Sequence, residues 1–142
     1  MMDIRLRILF LLLAMPVLCA PVFAEQILQT GTAWDGGKIA YPDGDPEVTA
    51  IILRLDKEQI SKFHCHPVPT LGYVLKGTVE VETREGKTVR LSEGDAAVEV
   101  MRTLHRGKAV DGPVEILVFY AGAEGIPTTV LPDTEAAKIH CD

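Results

Sequence analysis

Histidine is scarce in this chain of 142 residues, with four copies, and two of them stand one residue apart in FHCHPVPTLGYVLKG, Phe63 to Gly77. Alternate residues of an extended segment project to one side, so His64 and His66 aim at one point while Cys65 faces the other way. Imidazole is the commonest protein ligand for transition metals, and two rings aimed together make half of such a site. A third histidine, His105, follows 39 residues after His66 in MRTLHRG. His140 has no partner at a comparable spacing and is expected to be solvated.

Bringing His105 back to His64 and His66 requires strands that return on one another. The chain supplies runs dense in Val, Ile, Leu and Thr at short intervals: VTAIILRL, LGYVLKG, TVEVET, TVRL, AAVEVM and VEILVFYAG. That spacing predicts an all-β fold, a small antiparallel barrel or sandwich, rather than strands alternating with helices. The sharpest local signal lies between Thr78 and Leu91. There TVEVET and TVRL each alternate apolar with polar residues around the turn REGK, which predicts a hairpin with one face buried. Glu93-Gly94-Asp95 and Asp111-Gly112-Pro113 are predicted turns. An irregular arm, residues 25–47, precedes the strands and contributes at most an edge strand. A tail, 123–142, follows them and contains the helix-compatible stretch TEAAKIH.

The first 24 residues have the order of a secretory signal. Arg5 and Arg7 precede the apolar run ILFLLLAMPVL, which is short for a membrane span, and Val22-Phe23-Ala24 offers small residues before a cut. Cys19 lacks the small preceding residue of a lipidation site. Removing this segment takes away Arg5, Arg7 and Asp3 and leaves 118 residues, 12 basic and 19 acidic, with a net charge of −7. That length suits one domain with one core. Its acidity argues against a nucleic-acid partner, which would need clustered basic surface. No apolar run after residue 24 is long enough to cross a membrane, so the expectation is a soluble periplasmic or secreted protein. Only Cys65 and Cys141 remain after cleavage, too few for a disulfide-built scaffold. The expectation from the residues is a buried thiol at Cys65 and a mobile Cys141, without a bridge.

With its three histidines so spaced, the chain resembles the cupins, whose first motif has two histidines one residue apart, then a glutamate, then a glycine. His64, His66 and Gly77 match, and Thr70 occupies the glutamate position. In the second motif Gly94 and His105 match, while the proline, glycine and asparagine positions hold Val100, Arg102 and Ala109. The resemblance covers residues 48 to 121 and implies a cupin barrel over 48–122, a double-stranded β-helix of jelly-roll type. It further implies that His64, His66 and His105 hold one divalent transition metal, with Fe, Zn, Mn, Ni and Cu all open.

The family holds enzymes of several classes and non-catalytic binders, so fold alone does not fix the reaction. The three-histidine dioxygenases are its nearest chemical precedent. The expected function is a metal-dependent, dioxygenase-like reaction on a small molecule, the alternative being a non-catalytic binder of metal or ligand. No catalytic residue is assigned. Thr70 is a candidate to orient metal-bound water, Glu99 to act as a base, and Arg102 and Arg106 to clamp a substrate carboxylate. Tyr73, Leu75, Phe119 and Tyr120 are expected in the core or lining the barrel. A homodimer is expected from exposed sheet edges or exchange of the arm.

Mass spectrometry of exported protein is expected to find a chain that starts at Glu25. Intact Met1 in a membrane fraction would identify the segment as an anchor instead.

Overall fold

The computed structural model describes residues 22–142, so the expected signal segment lies outside the described residues apart from its last three positions. Five strands and one short helix follow: β1 (Pro46–Leu55), β2 (Thr70–Thr83), β3 (Thr88–Ser92), β4 (Ala96–Val98), β5 (His105–Ala123) and α1 (Glu135–His140). The strands are antiparallel neighbours in the order β1-β5-β2-β3, with β4 also on β2. The fold is the all-β architecture that the spacing of apolar runs predicts.

The hairpin forms as expected, with Thr78 opposite Ser92 and Glu82 opposite Thr88 around a turn at Gly86. Two expected boundaries do not. LGYVLKG and TVEVET join into the single strand β2, and Asp111-Gly112-Pro113 is no chain-reversing turn, because β5 continues through it. Both strands bend at the same level. The register on β2 shifts between Val74, Lys76 and Thr78, where Gly77 takes φ 80°, and facing it Asp111 takes φ 63°. A Cβ on Gly77 would stand 2.4 Å from the Pro113 carbonyl oxygen, so only glycine permits this approach. Such paired bulges turn a flat ladder into a curved one. Below the bend β5 pairs with the end of β2, and above it with the start of β2 and with β1.

Curvature brings one face of each strand inward. The core comprises Leu55, Val68, Val74, Val79, Val81, Ala109, Val114, Ile116, Val118 and Tyr120. Alternation puts Tyr120 inside and Phe119 outside, 43% exposed, and Leu75 is likewise 40% exposed. Those two positions correct the expectation of a lining role, since in each case the neighbouring residue takes the inward place.

The tail also differs from expectation. α1 is capped by Thr134, whose side chain accepts a hydrogen bond from the Ala137 amide, and Val130 pairs with Cys65 across a β-bridge. The Asp142 amide donates to the Arg102 carbonyl. So docked, Cys141 reaches Cys65 with a Cα separation of 5.9 Å, and the two form a disulfide. Cys65 is fully buried on the side away from the histidines, as alternation requires. What the sequence does not contain is the pairing that carries Cys141 there.

Folded protein is therefore expected to show no titratable thiol until a reductant is added. Closing a loop of 76 residues stabilises the fold by about 4 kcal/mol in the chain-entropy account, so Cys141→Ser should lower the denaturation midpoint accordingly. Two free thiols in unreduced, denatured protein would contradict the bridge.

Candidate metal centre

His64 and His66 lie on an extended segment that is tied down by isolated bridges, His64 to His105 and His66 to Met101. His105 opens β5 rather than sitting in a loop. The three rings meet with centroids 4.5 to 5.0 Å apart, and one nitrogen from each lies within 4.8 Å of the others. His66 and His105 are buried and His64 is half-buried.

Each ring is oriented by a backbone carbonyl. Nδ1 of His64 lies 2.8 Å from the Lys62 oxygen, Nδ1 of His66 2.8 Å from the Thr128 oxygen, and Nδ1 of His105 2.8 Å from the Thr103 oxygen. A carbonyl only accepts, so each Nδ1 must carry the proton and each Nε2 must present a lone pair. Burial is the main cause that holds all three imidazoles below their ordinary pKa, with His66 lowered to about 3. Nε2 of His105 is buried without a hydrogen-bond partner. Leaving such an atom unpaired costs about 1–3 kcal/mol, and converging lone pairs repel. A divalent cation would remove both costs, so this donor set fits a transition metal.

The histidines line a cavity of 320 Å³. Its wall is largely aliphatic, with Ile51, Leu53 and Leu55 from β1, Val79 and Val81 from β2, and Ile116 and Val118 from β5. Polar groups are few: Ser61, Lys62, Thr70, Glu99, Tyr120 and Thr129 besides the histidines.

The other candidate residues separate clearly. Thr70 lines the cavity, but its hydroxyl donates to the Val68 carbonyl at 3.1 Å. Glu99 comes just after β4, not in a longer strand to Met101, and Oε2 lies 3.7 Å from Nε2 of His105. Burial raises its pKa, opposed by a hydrogen bond from Nε1 of Trp34 at 3.3 Å. Neither arginine faces the cavity. Arg102 turns outward at φ 60° and binds the Asp142 carboxylate and the Ile139 carbonyl, each at 3.0 Å. Arg106 follows an inward His105 and so projects outward, where it pairs with Glu82 and lies over the Phe63 ring. The basic residue that lines the cavity is Lys62, an exposed position with no signal in the sequence, whose carbonyl orients His64.

Two further contributors have no signal in the sequence. Trp34 sits in the arm with nothing in its surroundings to link it to Glu99, and the Thr128 carbonyl belongs to an unpatterned tail. Tyr120, expected in the core or lining the barrel, belongs to both. It packs edge-on to His66 at 5.5 Å, and burial raises its pKa.

A Cupin domain family model matches residues 51–120. No curated protein matches the chain. Among solved structures, the chain is similar to the DMSP lyase DddQ from Ruegeria pomeroyi DSS-3, with 25% identity and a TM-score of 0.54, over 70% of this chain and 48% of that one. It thus spans about half the length of that lyase. An uncharacterized conserved protein with a double-stranded β-helix domain from Klebsiella pneumoniae matches at 16% identity and a TM-score of 0.51, over 66% of this chain and 84% of that one. An oxalate decarboxylase from Bacillus subtilis shares 19% identity at a TM-score of 0.51, over 60% of this chain and 24% of that one. Since the family match runs from the middle of β1 to Tyr120 near the end of β5, over the strands that carry the histidine cluster and its cavity, the chain belongs to the cupin superfamily.

Proposed function

We propose that this chain is an exported metalloenzyme that holds one divalent transition metal on His64, His66 and His105 and acts on a small, largely apolar molecule. The observation that carries the reading is the set of three Nε2 lone pairs, each fixed by an Nδ1–H to carbonyl bond and aimed into one aliphatic cavity. A bound metal would act there as a Lewis acid and as a centre that orients substrate. The chain's own residues do the rest. The β1, β2 and β5 side chains exclude water from the apolar body of the substrate. Lys62, exposed where it lines the cavity, is the basic residue nearest to an entering anionic group.

An oxygen-dependent reaction is supported by imidazole donors, which suit iron as well as zinc, nickel and copper, and by the apolar chamber. A proton-transfer reaction independent of oxygen is supported by the two titratable groups inside the chamber, Glu99 and Tyr120, and by the 25% identity to a DMSP lyase. Oxygen consumption by iron-loaded protein, assayed against a panel of small acids, separates the two.

Elemental analysis of purified protein is expected to find about one transition-metal ion per chain. Alanine at His64, His66 or His105 should each deplete it severely, and His140→Ala should leave it in place. Equal retention in all four variants would remove the metal site.

Acid should weaken the metal-free fold. Unfolded chain takes up histidine protons near pH 6.5, whereas folded His66 resists protonation down to about 3. Between those values the unfolded state binds more protons, so stability is fully present above about pH 6.5 and is lost as pH falls toward 3. Urea midpoints measured at several pH values across this range should decline on acidification for metal-free protein. A midpoint that stays level or rises would show that the rings are not buried neutral.

A further inference from the structure

Position 70, where the cupin motif has its carboxylate, holds threonine, yet a carboxylate stands opposite it, one residue past the end of the neighbouring strand β4. Leu71 pairs with Val98, so Thr70 and Glu99 are cross-strand neighbours, and the Glu99 amide donates to the Thr70 carbonyl at 2.8 Å. Directly opposed residues of an antiparallel ladder project to the same face. Both side chains accordingly line the cavity. Building on the three-histidine reading above, we propose that Glu99 is a fourth metal ligand, supplied from just beyond β4, the strand beside the usual one, and aimed by Trp34 of the N-terminal arm.

Three observations converge on this assignment. Glu99 Oε2 and His105 Nε2 lie 3.7 Å apart, too far for a hydrogen bond, and the nitrogen has no other partner. Metal bonds of about 2.0–2.2 Å put two donors on one ion about 3.0–3.5 Å apart, so the observed gap needs only a small closure. Oε2 is also held by a hydrogen bond. The Trp34 indole donates to it at 3.3 Å, and the Trp34 amide donates to the Val98 carbonyl at 2.9 Å, which anchors the indole to the residue before Glu99. Finally, the side chain of Glu99 is 20% exposed and has no lysine or arginine partner among the described residues. A partly buried carboxylate of this kind ordinarily has a cation beside it. The adjacent metal site would provide one.

In this role Trp34 is a positioning residue, acting on the metal only through Glu99. The arm that carries it is held by Asp35, which pairs with Lys87 at 3.1 Å and accepts from the Gly37 amide at 2.9 Å.

Titration of metal-free protein with Co(II), followed through its visible absorption bands, tests the proposal without a substrate. Glu99→Gln keeps the shape and removes the charge. It is expected to weaken Co(II) binding at least about tenfold and to change the band pattern, and Trp34→Phe to shift the bands in the same sense by less. A crystal structure of Co(II)-loaded wild-type protein should place a Glu99 oxygen within bonding distance of the ion, a measurement that does not depend on how the variants fold. Wild-type binding with the same affinity and bands in Glu99→Gln would overturn the fourth ligand and leave the three-histidine site intact. An effect in Glu99→Gln with none in Trp34→Phe would remove Trp34 from the site. Failure of wild-type protein to bind Co(II) would instead defeat the three-histidine reading and this inference with it.

Discussion

Everything at the centre of this protein depends on three Nδ1–H to carbonyl bonds. They fix which nitrogen of each imidazole is free, and they convert three buried polar rings into one convergent donor set. Two of the bonds are local: His64 and His105 each use the carbonyl two residues earlier, from Lys62 and Thr103. Any extended segment that enters the barrel in the right orientation brings those partners along. His66 differs. Its carbonyl comes from Thr128, 62 residues away. Orientation of that one ring therefore requires the tail to be docked, and the bridge from Cys65 to Val130 and the disulfide from Cys65 to Cys141 dock it.

The same alternation that aims the histidines inward aims Cys65 backward. A single extended tripeptide thus serves both jobs, with metal-directed rings on one face and a covalent anchor on the other. The aliphatic lining contributes in a different way. By excluding water from the rings it disfavours their charged forms, keeping the lone pairs available at pH values where exposed histidines would begin to take up protons. Apolar packing and metal-site chemistry are in this sense one property of the barrel. Val79, Val81, Ile116 and Val118 belong to both the core and the cavity wall.

Features that depend on period two were legible in the sequence. The hairpin, the inward face of the TVEVET half of β2, and the convergence of His64, His66 and His105 all follow from alternation together with motif spacing. What could not be read were relations between segments with no period in common. Asp111-Gly112-Pro113 has the composition of a turn, but the facing bulge at Gly77 lets the strand continue through it. Phe119 and Tyr120 are chemically similar neighbours, and only the register of β5 against β2 decides which one faces the cavity. Trp34 reaches Glu99 across 65 positions, through an arm whose composition is that of a loop.

Departures from the family pattern are informative when each is set in its local structure. Arg102 stands at a glycine position, and its φ of 60° shows why glycine suits it, since a left-handed residue with a side chain carries a strain of about 1–3 kcal/mol. Here the strained residue is held on all sides. Its amide donates to the His66 carbonyl, its carbonyl accepts from Asp142, and its guanidinium grips the Asp142 carboxylate and the Ile139 carbonyl. Three of those four contacts come from the last four residues of the chain. The arginine and the tail consequently stabilise each other, and the same tail supplies the Thr128 carbonyl to His66 and Thr129 and Leu131 to the cavity wall. A segment that composition marks as an appendage thus orients one of the three histidines and closes part of the cavity they line.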